Sequence, residues 1–422
     1  MEDKQKAFFE SIFHAAVSAA DPRKVLPPFL PARPKGRTIV IGAGKGAAQM
    51  AAAFEEAWDS GPVEGAVVTR YGYGASTQRI EVIEAAHPVP DAAGLEGARR
   101  LLQLVQGLTE DDLVIALVCG GGSALLPCPP NGMTLADEIA TNEALLASGA
   151  PIAAMNTVRK HLSAIKGGRL AAAAHPARVV SLIVSDIPGD NPALVSSGLT
   201  IPDASTRSDA LAIVETYGLK LPEAAVRHLY SPAADAPLPG DPRFRGNEVH
   251  IVASAARSLE AAAAEAGRQG VDAVILSDAI EGEARDIGLM HAALAREVAL
   301  CDRPFRKPVL MLSGGETSVT LRRKGGRGGR NTEFLLSLAV AIEGVEGITA
   351  FAADTDGIDG SESNAGAFAD HLTATRLRKC GHDPKALLAA HDAWAAFDAL
   401  DDLFAPGPTG TNVNDFRGVL VR

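Results

Sequence analysis

Long apolar runs are missing. No stretch of the 422 residues approaches the ~20 that a bilayer crossing takes, and the opening MEDKQ lacks the basic start and apolar run of a secretion signal. The cytoplasm is therefore the expected compartment, with no membrane partner. Basic residues are outnumbered, 40 Lys and Arg against 51 Asp and Glu. That balance withholds the electrostatic footprint of a nucleic-acid binder, so any bound anion must be met by local cations. Cysteine is scarce, and Cys119, Cys128, Cys301 and Cys380 show neither C-x-x-C spacing nor a nearby histidine series, which argues against a zinc site or a disulfide framework. There is no repeat of fixed period and no low-complexity tract. A G-x-S-x-G elbow is absent, which disfavours acyl transfer from a serine, and so is the G-x-x-x-x-G-K-[ST] signature of a P-loop.

What is present reads as a globular protein, 47% hydrophobic and 22% charged, long enough for two or three domains and a large core. Phe8, Phe9, Ile12, Phe13, Ala16 and Val17 recur at helical spacing, so the first twenty or so residues are expected as an amphipathic helix. Short apolar runs then alternate with helical stretches: TIVI at 38–41, AVVT at 66–69, EVIEA at 81–85, LVIALV at 113–118, VVSLIVS at 179–185 and EVHIVAS at 248–254. Strand, helix, strand is the order of a parallel sheet covered on both faces, an α/β fold. Tyr217 to Gly246 is proline-rich and marks the main change of composition.

Glycine turns sit where strands end. SGGETSVTLRRKGGRGGRNTE, Ser313 to Glu333, lies between the strand PVLML and a helix. Free N–H groups and the helix dipole favour an anion at such a place. Arg330 and Asn331 are candidates to hold phosphate or carboxylate, with Gly314, Gly315 and Glu316 beside them. Arg322, Arg323, Lys324 and Arg327 are read equally well as a solvated hairpin. GAGKGA satisfies G-x-G-x-x-A through Gly42, Gly44 and Ala47, a dinucleotide turn in form. The strand after its helix ends in Thr69-Arg70, not in the acid that holds an NAD ribose, although Arg70 suits an NADP phosphate. Lys45, a cation inside the turn, suits a phosphoryl group or a carboxylate. A third loop, CGGGSALL, offers Gly121, Gly122 and Ser123, the serine being either an N-cap or a ligand contact. In NTVRKHLSAIKGGRLA, a helix broken at Gly167-Gly168, the cations Arg159, Lys160 and Lys166 cannot all share one face. DTDGIDG sets Asp354, Asp356 and Asp359 on one loop suited to Mg2+, and Asp186 and Asp190 of SDIPGD are further candidate ligands. His87 and His161 read more readily as packed histidines than as bases.

The set GAGKGA, HPVPD, CGGGSALL, NTVRKHLSAIKGGRLA, SDIPGD, SGGETSVT, GRGGRNTE, ADTDGIDG and TGTNVND resembles the glycerate 2-kinase family of the MOFRL type over nearly the whole chain. The resemblance implies an N-terminal Rossmann-like parallel-sheet domain, expected over 1–240, and a smaller C-terminal α/β domain over 241–422 with a cleft between, the last strand being a candidate to pack back on the first domain. It implies ATP-dependent phosphorylation of D-glycerate to 2-phosphoglycerate with a divalent metal, with Lys45 and Arg330 as the catalytic pair. Gly42, Gly44, Gly46, Gly121, Gly122, Ser123, Arg159, Lys166, Gly314, Gly315, Glu316 and Asn331 are then the expected substrate and nucleotide contacts. Asp186, Asp190, Asp354, Asp356 and Asp359 are the expected Mg2+ ligands. Members of this family have also been labelled hydroxypyruvate reductases, so an NAD(P)H-dependent reductase is the first rival and a binding protein without turnover the second. The assembly state is left open, a homodimer included.

Overall fold

A computed structural model describes residues 1–321 and 326–422; Arg322, Arg323 and Lys324 lie outside the described residues. The chain divides into two compact units, Pro22–Val252 and a second built from Met1–Asp21 with Ala253–Arg422. The expected single cut at residue 240 is thus replaced by a unit drawn from both ends of the chain.

In the Pro22–Val252 unit six strands form one sheet: β1 (Thr38–Ala43), β2 (Val63–Arg70), β3 (Ile80–Ala85), β4 (Leu113–Val118), β5 (Arg178–Ser185) and β6 (Glu248–Ser254), in the order β3-β2-β1-β4-β5-β6. The pairs β3/β2, β2/β1, β1/β4 and β4/β5 are parallel. This is the strand order of dinucleotide-binding folds, with its switch point between β1 and β4, where ligands meet the carboxyl ends. Alternate residues explain the burial. Ile39, Ile41, Val114, Ala116 and Val118 face one core with Ala98 and Leu101 of the helix Ala92–Leu104, while Val40, Val67, Ile115 and Leu117 are equally buried on the other face. The expected long helix through Arg159 stops at His161 and resumes at Arg169, and Gly167 and Gly168 both have positive φ in the turn between.

The second unit carries β7 (Asp272–Ser277), β8 (Gly282–Glu283), β9 (Val309–Gly315), β10 (Thr317–Ser318), β11 (Ile348–Asp354), β12 (Gly366–Asp370), β13 (Leu403–Phe404) and β14 (Asp415–Val421). The main sheet has the order β13-β12-β11-β14-β9-β7. Only β7/β9 is parallel; β9/β14, β14/β11, β11/β12 and β12/β13 are antiparallel. The last strand sits at the centre of this sheet. Its alternation explains the choice: Val419 and Val421 enter the core under the helices Ala284–Cys301 and Arg330–Ala341, and Phe416 and Leu420 enter the core on the opposite face.

That opposite face is closed by the helix Asp3–Ser18 lying beside the helix Ala255–Arg268. Phe9 stacks on Phe351 at 5.8 Å, and Phe13 meets Phe351, Phe404 and Phe416 edge-on at 5.7, 5.2 and 5.9 Å. Each such pair contributes about 0.5–1.5 kcal/mol beyond burial. The apolar stripe visible in the first twenty residues therefore finds its partner some four hundred residues later. Trp58 lies in one unit and Trp394 in the other, so a Trp58→Phe background isolates a reporter for the second. In that background Phe13→Ala is expected to lower the unfolding free energy sensed by Trp394 by about 3–5 kcal/mol in a denaturant titration; an unmoved transition would show that the helix is not part of that core.

Candidate active site

At the switch point of the parallel sheet the first glycine turn meets the loop after β4. A Cβ on Gly44, whose φ is 137°, would lie 2.3 Å from Cys119 Sγ and 2.4 Å from its carbonyl oxygen, so glycine is required by the neighbouring loop. The turn's N–H groups are also spent inside the protein. Gly44 donates to Val68 O at 3.1 Å, Lys45 to Gly120 O at 2.9 Å, Gly46 to Cys119 Sγ at 3.2 Å and Ala47 to Gly44 O at 3.1 Å. Gly42 is buried within β1, its α-carbon facing Leu117 O. The expectation that Gly42, Gly44 and Gly46 touch a ligand is therefore corrected: a dinucleotide turn offers its amides to pyrophosphate, and here they have internal acceptors. The Lys45 side chain leaves this turn beside Gly121.

Lys45 Cγ and His87 Nε2 flank Gly121, at 3.1 and 3.3 Å from where a side chain would start. Burial, then the charges of Lys45 and Arg70, push His87 down to about 4, so the imidazole is neutral at physiological pH. Arg70 stacks over the Tyr73 ring at 4.0 Å. Asp186 lies against Gly120; burial pushes the Cys119 thiol up to about 12, and Asp186 pushes the same way, so this cysteine is inert. Asp190 sits in the following turn at φ 52°. Ser123 is not an N-cap: the short helix Gly122–Leu125 is preceded by Gly121, and the Ser123 hydroxyl bonds Ser197 Oγ at 2.8 Å. Arg159 reaches the same network through Asn156 at 3.2 Å and is held by Asn142 at 2.8 Å. Asn156 and Ser197 have no local sequence signal. Lys166 is a correction, because its side chain is 2% exposed and its ammonium donates to Glu138 at 2.9 Å and to Leu126 O at 3.1 Å. It is sequestered in a buried ion pair. His161 is packed, bonding Ala234 O at 2.8 Å. A cavity of about 940 Å³ in this unit shares no residue with the Lys45 cluster, and its rim arginines Arg99 and Arg227 pair with Glu96 and Glu223 of their own helices.

In the other unit the sheet register builds the site. Asp354 is opposite Asp415, and Asp415 is opposite Gly315, so the ends of β9 and β11 and the start of β14 share one edge. The helix Arg330–Ala341 starts there. Arg330 Nε donates to Asp415 Oδ1 at 2.6 Å and Nη2 to Asp354 Oδ2 at 2.5 Å. Asn331 Nδ2 donates to Asp415 Oδ1 at 2.9 Å, and Arg417 pairs with the other Asp415 oxygen. Despite burial, the two guanidinium groups hold Asp415 below its ordinary range; burial drives Asp354 well above it, with Arg330 opposing. The same carboxylates raise Arg330 further above its ordinary value against the effect of burial. Arg330 also borders a cavity of about 360 Å³ with Thr317, Ser318, Gly329 and Ser361.

Asp359 is the second correction. One oxygen accepts Asn331 N–H at 2.9 Å, the other accepts Thr332 N–H at 2.9 Å and Thr332 Oγ1 at 2.8 Å, so it closes the helix N-terminus and is no metal ligand. Asp354 accepts Asp356 N–H at 3.0 Å besides Arg330. Asp356 accepts Ile358 N–H with one oxygen at 2.9 Å, leaving the other to face outward. Among the described residues no three His, Cys, Asp or Glu groups gather as a metal centre. Glu316 is exposed, not buried in the sheet, and adds its field to Arg330. Gly314 and Gly315 admit the neighbouring chain: a Cβ on Gly315, φ 115°, would lie 2.3 Å from Ile280 N. Asp415 and Arg417 were missed by pattern reading, though the alternation Asp-Phe-Arg places both on one face of a strand.

Fold and geometry thus define an α/β protein of two units, each setting a cation at the carboxyl edge of its sheet. Residues 8–230 match a family described as a domain of unknown function, DUF4147, and residues 309–415 match the MOFRL family. The chain belongs to the glycerate 2-kinase family of the MOFRL type. It is 39% identical over 406 residues to a D-glycerate 2-kinase of Thermotoga maritima, covering 96% of this chain and 95% of that protein. Over 411 residues it is 51% identical to an Agrobacterium vitis protein named for hydroxypyruvate reductase, covering 97% and 93%. The crystal structure of glycerate kinase from Thermotoga maritima superposes with a TM-score of 0.89 at 37% identity, covering all of both chains. No helix among the described residues is long and apolar enough to cross a membrane.

Two measurements check this geometry. With the folded His87 near 4 and the ordinary value at 6.5, the unfolded chain takes the proton first as pH falls. Its contribution to stability is therefore complete above 6.5 and lost on descent toward 4. An NMR titration is expected to place His87 near 4, with Lys45→Ala moving it upward but short of 6.5, because burial is the larger cause; a midpoint at 6.5 in the wild type contradicts the site. Lys166→Ala, which strands Glu138, is expected to cost about 3–5 kcal/mol in urea unfolding read from Trp58 in a Trp394→Phe background. Unchanged stability with weakened nucleotide binding would return Lys166 to the ligand site.

Proposed function

We propose that the protein transfers the terminal phosphoryl group of ATP to the 2-hydroxyl of D-glycerate, with Mg2+, and that Lys45 and Arg330 are its catalytic cations. The observation that carries this reading is the Arg330 fork: Nε and Nη2 are fixed by Asp415 and Asp354, which leaves Nη1 oriented and free to take a phosphoryl oxygen. The names of the relatives support the same chemistry. A hydride-transferring reductase is disfavoured by the internal hydrogen bonds of the first glycine turn, whose amides from Gly44 to Ala47 are already engaged.

In the transfer, a bond forms from the glycerate oxygen to phosphorus as the bond to the ADP oxygen breaks, and charge spreads over the three equatorial oxygens. Fixed cations that need no reorganisation lower that barrier. Lys45 supplies a compact point charge, Arg330 a rigid planar one. Mg2+ commonly takes one or two carboxylates plus phosphate oxygens, and the outward oxygen of Asp356 fits that demand. When bound, the metal would neutralise charge on the nucleotide phosphates.

Lys45→Ala is expected to lower kcat about 10²–10³-fold while leaving the circular dichroism spectrum unchanged, because Lys45 is half-exposed on a turn. Arg330→Lys should also lose most activity, since an ammonium cannot satisfy both carboxylates and a phosphoryl oxygen. ADP release with glycerate and phosphorus NMR of the product measure this. Wild-type turnover in Lys45→Ala, or NAD(P)H oxidation by hydroxypyruvate without ADP release, would overturn the assignment.

A further inference from the structure

Beside Lys45, the loop after β4 carries a hydrogen-bond chain whose direction can be worked out atom by atom. Arg159 Nη1 lies 3.2 Å from Asn156 Oδ1. A guanidinium only donates, so the amide atom facing it is the oxygen, and Nδ2 is directed to Leu194 O at 3.5 Å. Ser197 Oγ is 3.0 Å from that same oxygen. An amide oxygen only accepts, which commits the Ser197 hydrogen to Asn156. Ser123 Oγ lies 2.8 Å from Ser197 Oγ, and the donor there must then be Ser123. Ser123 has given away its one hydrogen and presents only lone pairs on its open side.

The surroundings hold this order in place. Asn156 is 4% exposed and Ser197 1%, so water does not compete with the bonds. Ser196 and Ser197 occupy the left-handed region at φ 49° and 57°, a conformation that L residues adopt at a cost and that clusters at functional sites; Ser196 Oγ fastens the turn by donating to Cys119 O at 2.6 Å. Both hydrogen-bond partners of Arg159 are neutral amides, and the acid whose field reaches it, Glu138, is engaged by Lys166 at 2.9 Å. Its charge is therefore free to polarise the Asn156 carbonyl and the hydroxyls behind it.

We propose that Arg159, Asn156 and Ser197 are positioning residues that fix Ser123 as the hydrogen-bond acceptor for the substrate alcohol that takes the phosphoryl group. The inference rests on the kinase reading above. An acceptor-only Ser123 repels phosphate oxygens and selects a donor, which an alcohol is. Holding the hydroxyl hydrogen leaves a lone pair of its oxygen to face phosphorus. No proton travels the chain, because an amide oxygen beside a guanidinium has no useful basicity. As the new oxygen–phosphorus bond forms and the bond to ADP breaks, the alcohol proton goes to an oxygen of the transferred phosphoryl group.

Steady-state kinetics with D-glycerate varied at saturating ATP and Mg2+ test this in a double-mutant cycle. Ser197→Ala and Ser123→Ala are each expected to lower kcat/KM for glycerate about tenfold, with KM for ATP and the shape of the pH profile unmoved. The double variant should be no worse than Ser123→Ala alone. Asn156→Asp, which keeps an acceptor, should recover most of what Asn156→Ala loses, and this pair carries the test if Ser197→Ala folds poorly. Multiplicative losses in the double variant, equal impairment of the two Asn156 variants, or a raised KM for ATP would overturn the relay while leaving the kinase reading intact. A wild-type protein that makes no ADP from glycerate would overturn both.

Discussion

The Asp415 carboxylate is the interaction on which the Arg330 site depends. Buried at the first position of the central antiparallel strand, it takes Arg330 and Asn331 on one oxygen and Arg417 on the other. Without it two guanidinium groups would face each other in a medium of low dielectric, a cost several times that of an exposed like-charge pair. Strand register supplies the rest. Asp354 is brought alongside by β11, and Arg330 can only enter between the two carboxylates from the helix that starts at the same edge. Arg417 is fully buried beneath this layer, also bonded to Gly314 O and Thr317 Oγ1, so the β9 turn is tied to the same charge cluster.

An arginine held in this way is a different instrument from a lysine on a turn. Its Nε and Nη2 are held by Asp415 and Asp354, so the side chain has little freedom to reach for a distant anion. What it offers is direction, a single nitrogen aimed by two bonds that cost no reorganisation when charge develops. Lys45 has the opposite character, a mobile ammonium beside a neutral histidine.

Much of the scaffold was legible in the chain. The six strands of the parallel sheet follow from short apolar runs separated by helical periodicity, and each glycine loop lies at a strand's carboxyl end as its sequence suggested. The reason for the glycines was not legible. Gly44 and Gly315 answer to the close approach of Cys119 and Ile280, contacts that no local pattern encodes, and an anion-binding turn reads identically. Lys166 and Asp359 show the same limit from the other side. A charged side chain beside glycines can serve a site or be consumed by a buried partner, and Glu138 and the helix N-terminus are that partner here. Asp415 and Arg417 escaped because their strand was expected to pack elsewhere. The second unit draws on both chain ends, which a reading from start to finish cuts apart.

The most direct measurement is a crystal structure of the protein with D-glycerate and a non-hydrolysable ATP analogue. The expected result has a phosphoryl oxygen of the nucleotide within hydrogen-bond reach of Arg330 Nη1, with Arg330 Nε still on Asp415. A terminal phosphate bound while Arg330 Nη1 faces open solvent would contradict the role given to the Arg330 fork.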